Sequence, residues 1–147
     1  MKYSVQKLVR FQHCDPAGIV FYPRFFYLLH EVQEDFFAHI GFPEYKLIEG
    51  GYGLPIVDLK TEFLGMCRNG DLLTMTLALT KVGHASIGMQ YEIHGPATES
   101  GNNGTLKLKA HGVVVYSDLA LGKATPMPEP MREALMPYLI EIKTANA

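Results

Sequence analysis

Cysteine is scarce in this chain of 147 residues: there are two, Cys14 and Cys67, far apart and in no CxxC pair. That spacing indicates neither a disulfide framework nor a cysteine-based zinc site. An excess of basic charge is missing as well. Against 15 Asp and Glu stand 13 Lys and Arg, for a net charge of −2. No block of about five or six like charges occurs, so the footprint of phosphate-backbone binding is lacking. No stretch approaches the ~18 consecutive apolar residues of a membrane span. The opening MKYSVQKLVRF alternates polar and apolar residues where a leader would carry an apolar core. Neither nucleic acid nor membrane is expected as a partner, and a cytoplasmic location is expected. Repeats, low-complexity tracts and interdomain linkers are also missing, while 48% of the residues are apolar. One domain over residues 1–147, with a core that stands without metal or disulfide, is the expectation.

What is present divides into two periodicities. Tyr3, Val5, Val9 and Phe11 fall on alternate positions, broken at Lys7, as in a half-buried strand. From Tyr22 the period lengthens. Phe25, Leu28, Leu29, Val32, Phe36 and Ile40 share one face of a long helix, Glu31, Glu34 and Asp35 take the opposite face, and Gly41 and Pro43 end it. Phe26, His30, Gln33 and Phe37 form a second stripe beside the first. Alternation returns over residues 56–64. It continues in Leu73, Met75, Leu77 and Leu79, and again after Gly83 in Ala85, Ile87, Met89, Tyr91 and Ile93. A polar loop over 95–104 precedes a fifth strand over 106–116, and a short helix interrupted near Pro137 is predicted over 131–140. A strand, one long helix and four consecutive strands make an α+β domain in which the helix covers an antiparallel sheet. The free edges of such a sheet favour self-association.

The stretch HCDPAGIVFYP, residues 13–23, joins the first strand to the helix. Asp15-Pro16 favours a turn and Gly18 supplies flexible backbone, so a plain loop followed by apolar packing is one reading. The helix start supports another. Pro23 suits a first helical turn, but Phe21 and Tyr22 precede it in place of a Ser, Thr, Asp or Asn cap. The first N–H groups are then free to polarise a carbonyl or an anion with a dipole charge of roughly +0.5. Asp15 lies close enough upstream for the loop to fold back on them. A carboxylate facing a polarised carbonyl is an acyl-transfer arrangement. His13 is read as positional or solvent-facing. Cys14, with only His13 adjacent, lacks the base or cation that would make it a nucleophile.

Asp15-Pro16-Ala17-Gly18-Ile19-Val20, then an aromatic, Tyr22-Pro23 and a long aromatic-rich helix resemble the hot-dog-fold acyl-CoA thioesterases, in particular the 4-hydroxybenzoyl-CoA thioesterase group. GYGLPIV, GDLLTMTLAL and GHASIGMQYEI extend the resemblance over nearly the whole chain. It implies a hot-dog fold, a five-stranded antiparallel sheet wrapped around one long central helix. It also implies hydrolysis of an acyl-CoA thioester to free acid and CoA, with no metal or redox cofactor. Asp15 matches the catalytic carboxylate, as nucleophile or general base, and Tyr22 the backbone N–H that holds the carbonyl oxygen. A carboxylate is a weak base at neutral pH, which makes attack through a mixed anhydride reasonable beside base catalysis. Ser86 matches a position beside the CoA arm. Sites in this family lie between subunits, which implies a homodimer or homotetramer.

One position departs from the pattern. The 4-hydroxybenzoyl enzyme carries a helix aspartate that recognises the phenolic hydroxyl, and this chain has His30 there. The reaction therefore carries over further than the substrate, with His30 a candidate substrate contact and Phe26, Phe37 and Tyr52 expected beside it around the acyl pocket. Two rivals use the same fold. A hot-dog enoyl-CoA dehydratase pairs its aspartate with a histidine a few residues on, and none lies between Asp15 and His30. A non-catalytic acyl-CoA or acyl-carrier binding module would leave Asp15 without a purpose.

Overall fold

The structure, a computed structural model, describes residues 1–97 and 104–141, so 98–103 of the expected polar loop lie outside the described residues. In chain order the elements are β1 (Tyr3–Leu8), α1 (Tyr22–His39), α2 (Glu44–Glu49), β2 (Tyr52–Gly53), β3 (Ile56–Phe63), β4 (Leu72–Val82), β5 (Ser86–His94), β6 (Leu106–Val115), β7 (Ser117–Asp118), β8 (Lys123–Ala124) and α3 (Glu129–Leu135). Single 3₁₀ turns sit at Phe11–His13 and Met136–Tyr138. The second is the interruption expected at Pro137.

Five antiparallel strands form one sheet in the order β1-β4-β5-β6-β3, which makes β1 and β3 its edges. The alternation in β4 and β5 sets the buried face: Leu73, Met75, Leu77, Leu79, Ile87, Met89, Tyr91 and Ile93 are all buried. Against that face lies α1, whose Phe25, Leu28, Leu29, Val32 and Phe36 complete the core. Phe36 is the centre of an aromatic group, with ring centroids 5.7 Å from Tyr3, 5.3 Å from Phe37 and 4.9 Å from Tyr138. The helix ends as a Schellman motif: the Phe42 N–H donates to the Phe37 carbonyl at 2.8 Å, and Gly41 adopts φ +93°.

One expectation is corrected, and two features go beyond the sequence pattern. Phe11 is not part of the first strand. β1 stops at Leu8, the Val9 N–H turns to the Asp71 carbonyl at 2.8 Å, and Phe11 enters a 3₁₀ turn where it is 85% exposed. Lys7 and Asp35 meet at 2.7 Å, so the break at Lys7 is the point where β1 ties to α1. The glycine-rich stretch before β3 also has structure of its own. Tyr52–Gly53 pairs with Ser117–Asp118, and β8 completes a small three-stranded sheet.

Candidate active site

The sequence around Asp15 folds as a tight hairpin. The Asp15 N–H donates to the Ile19 carbonyl at 3.0 Å, the Gly18 N–H returns to the Asp15 carbonyl at 3.0 Å, and Cys14 bridges Val20. Gly18 sits at φ +78°, a conformation that a side chain resists, which explains a glycine here. The Asn69 N–H and the Val20 N–H then stitch the hairpin to the 67–69 segment, at 3.0 Å to Gly18 and 2.9 Å to Cys67 carbonyls. Within this frame one Asp15 oxygen, Oδ1, accepts the Ala17 N–H at 2.9 Å. Oδ2 takes no hydrogen bond among the described residues. The carboxylate is thus oriented at one oxygen and available at the other. It lies in a surface hollow of about 420 Å³ with Phe11, Cys14 and Asn69.

The same ribbon leads into α1. Phe21 is extended, with φ −70° and ψ 123°, and offers no side-chain cap. Its N–H donates to the His13 carbonyl at 3.0 Å, and its own carbonyl takes the Arg24 N–H at 2.8 Å. The Tyr22 N–H finds no backbone acceptor among the described residues. The uncapped helix start expected from the sequence is present.

His13 is buried, not solvent-facing, and its role is positional: its Nδ1 accepts the Arg10 N–H at 2.9 Å. Burial above all holds its pKa below the usual 6.5; Glu31 opposes this, and Arg10 and Arg24 add to it. The unfolded chain therefore binds this proton more tightly than the folded one. The contribution is present above the ordinary histidine range and is lost as pH falls through the lowered folded value. Thermal unfolding across about pH 5–8 should show a shallower acid decline for His13→Asn than for wild type. Superimposable curves would mean that His13 contributes nothing to the decline. Cys14 is also as expected: partial burial first, then Asp15 and Asp71, push its thiol up and away from nucleophilic use.

A second cavity, about 360 Å³, runs between α1 and the β3 edge, walled by Phe26, Leu29, Leu54, Ile56 and Leu59. Three polar groups face it: His30, Gln33 and Tyr91. The Tyr91 hydroxyl donates to Gln33 Oε1 at 3.1 Å, and Gln33 Nε2 donates to Glu44 Oε1 at 2.6 Å. His30 reaches Glu44 through Nε2 at 3.2 Å and Glu34 through Nδ1 at 3.0 Å.

Of the residues singled out in sequence, Phe26 and His30 line this cavity. Phe37 does not. It is fully buried in the core, because the second helical stripe turns inward after the exposed His30. Tyr52 is likewise elsewhere, stacked on Tyr116 at 5.2 Å and 12°. Ser86 opens β5 opposite Val115, receives the Gly83 N–H on its carbonyl at 2.8 Å, and lines neither hollow. Asp15 and the cavity share no lining residue within one chain. Sequence reasoning missed Glu44, whose link to Gln33 spans 11 residues and a helix end and so leaves no periodic signal.

Comparison with known proteins adds four findings. The sequence profile of the thioesterase-like superfamily matches residues 9–135. A 4-hydroxybenzoyl-CoA thioesterase from Pseudomonas sp. strain CBS-3 is 26% identical over 117 residues, 78% of this chain and 82% of the relative. A 1,4-dihydroxy-2-naphthoyl-CoA hydrolase from Synechocystis sp. is 24% identical over 134 residues, 90% of this chain and 94% of the relative. The crystal structure of a 1,4-dihydroxy-2-naphthoyl-CoA thioesterase from Synechocystis superposes with a TM-score of 0.81 at 25% identity, covering 92% of this chain and 96% of that one.

Proposed function

Because the chain belongs to the thioesterase-like superfamily, we infer that it hydrolyses an acyl-CoA thioester to the free acid and CoA. The fold is the hot-dog fold of that reaction's enzymes. We assign the chemistry to Asp15 and the polarising contact to the Tyr22 N–H. The observation that supports this assignment is the ribbon that carries both. Asp15 faces Ile19 across it, and Tyr22 lies three residues further, roughly 10 Å along an extended chain. On that ribbon a thioester carbonyl is held with its carbon ~3 Å from the free carboxylate oxygen and its oxygen ~2.9 Å from the N–H when the Asp15 side chain reaches along the strand toward the helix start.

In the nucleophilic route, Asp15 Oδ2 attacks the carbonyl carbon while the helix start stabilises the oxyanion. The C–S bond then breaks, CoA leaves as a thiolate that takes a proton, and water hydrolyses the mixed anhydride to regenerate the carboxylate. In the base route Asp15 draws the proton from an attacking water. The oriented Oδ1 and open Oδ2 suit the first. Neither route calls for a metal or redox cofactor. The 360 Å³ cavity takes the acyl group, with Phe26 and His30 in its wall, and Ser86 is assigned to the CoA arm.

We also assign a homodimer as the minimal unit, assembled along β3. Its Leu59 and Phe63 lie on the face that packs toward α1, yet are 38% and 47% exposed, because no strand among the described residues closes the sheet beyond them. The test of the reaction is thiol release across aromatic, short-chain and long-chain acyl-CoA substrates. Turnover of at least one class is expected, and no release from any thioester would overturn the reading in favour of a binding module.

A further inference from the structure

Where α1 meets α2, negative charge is left unbalanced. The α1 acids Glu31 and Asp35 both reach Lys7, at 3.9 and 2.7 Å. Glu34 and Glu44 pair with no lysine or arginine among the described residues. Both turn instead to His30, whose Nδ1 lies 3.0 Å from Glu34 Oε1 and whose Nε2 lies 3.2 Å from Glu44 Oε2. Two carboxylates on one imidazole leave at least one negative charge uncompensated, whichever protonation state the ring takes. Glu44 is also held from behind, as metal-binding carboxylates are. Gln33, 4% exposed, donates from Nε2 to Glu44 Oε1 at 2.6 Å, and its own Oε1 accepts the Tyr91 hydroxyl at 3.1 Å. A carboxylate cannot donate, so only this amide orientation fits. Glu44 Oε2 is thereby aimed at His30.

We propose that His30, Glu34 and Glu44 form a binding site for a divalent transition-metal ion of the zinc type, which ties α2 to α1. One nitrogen of His30 and one oxygen from each glutamate all lie within 4.8 Å of one another. Ligand atoms around a tetrahedral zinc ion sit roughly 3.3 Å apart, so the 3.0 or 3.2 Å contact already forms one edge of such a site. His30 and Glu34 stand one turn apart on the same side of α1, and their side chains are 54% and 55% exposed, free to turn and close the other edges. The imidazole nitrogen selects the ion's class, since magnesium and calcium take oxygen ligands. A doubly charged ion beside a neutral ring and two carboxylates makes the cluster neutral. It also gives α2 an anchor, because that helix buries none of its own residues. The site stands apart from the chemistry assigned to Asp15 and Tyr22: His30 follows Tyr22 by about 12 Å along the helix axis.

The experiment is a calorimetric titration of the chelator-treated full chain with zinc chloride. One ion per chain is expected, with a Kd of about 10 μM or tighter, while magnesium and calcium chloride at about 1 mM should not bind. Zinc at about a hundred times Kd should raise the melting temperature by about 5 °C or more and slow amide exchange over residues 44–49. His30→Ala, Glu34→Gln and Glu44→Gln should each weaken zinc at least about thirtyfold. The last keeps an acceptor for Gln33, so its loss is that of a ligand charge. Gln33→Leu, which frees Glu44 to turn, should cost about tenfold. Cobalt(II) in place of zinc should give a visible absorption band in wild type and none in His30→Ala. Wild type that takes up no zinc at about 0.1 mM overturns the proposal whatever the variants do, and leaves an ion cluster only. Zinc binding that survives both His30→Ala and Glu34→Gln overturns it too, by placing the ion on other groups. None of these readouts depends on thioester hydrolysis, so the metal site and the thioesterase reading stand or fall separately.

Discussion

Asp15→Asn is expected to lower kcat by about a thousandfold or more while KM stays within about threefold. The asymmetry follows from the hairpin. An asparagine retains a carbonyl oxygen to accept the Ala17 N–H that orients Asp15 at 2.9 Å, so the turn and its links to the 67–69 segment survive. What disappears is the charged second oxygen, which in the proposed mechanism acts only when the carbonyl carbon is under attack, as nucleophile or as base. The cavity proposed for the acyl group is untouched, since Asp15 does not line it. Steady-state thiol release gives both constants, and thermal unfolding should show a melting temperature close to that of wild type. Mass spectrometry excludes deamidation back to aspartate. Turnover within tenfold of wild type in a verified Asp15→Asn preparation would remove Asp15 from the chemistry; a matching rise in KM would make it a binding residue.

How much of this was visible in the sequence depends on the range of the interaction concerned. The face of α1 and the alternation of β4 and β5 are local periodicities, and the buried set from Phe25 to Phe36 and from Leu73 to Ile93 follows them. The uncapped start at Tyr22 was equally legible, because capping depends on one or two neighbouring residues. Long-range choices were not. Phe11 continues the alternation of β1 on paper, but Val9 has already left the strand for Asp71, a partner on the far side of the motif. Gln33 looked like one member of a stripe. Its meaning comes from Tyr91 on β5 and Glu44 on α2, which the chain brings together across 58 and 11 residues. Ser86 and Tyr22 come from one family resemblance, but only Tyr22 has a structural signature of its own in this chain.

Thr61→Pro is expected to convert the protein to a monomer and to lower kcat/KM by at least about a hundredfold while the subunit remains folded. The prediction rests on the register of the edge strand. The Leu64 N–H donates to Lys107 at 2.8 Å, and β3 pairs with β6 through Lys60↔His111 and Glu62↔Lys109. Bonding alternates along an antiparallel pair, so the amides of Leu59, Thr61 and Phe63 point away from β6 toward open space. A proline at Thr61 removes one of these outward donors and none of the bonds to β6. The Thr61 hydroxyl, buried without a partner, loses nothing. A second copy that pairs antiparallel about Thr61 would set Lys60 opposite Glu62 of that copy twice, and Leu59 opposite its Phe63 twice. Centring on Leu59 would instead oppose Asp58 and Lys60, so either register is attractive. Lys60→Glu should therefore weaken the dimer and Lys60→Glu with Glu62→Lys should restore it if Thr61 is the centre. Sedimentation with activity measured on the same samples separates the outcomes. A Thr61→Pro protein that remains dimeric places the interface elsewhere, and a folded, fully active monomer means that the site is complete in one chain.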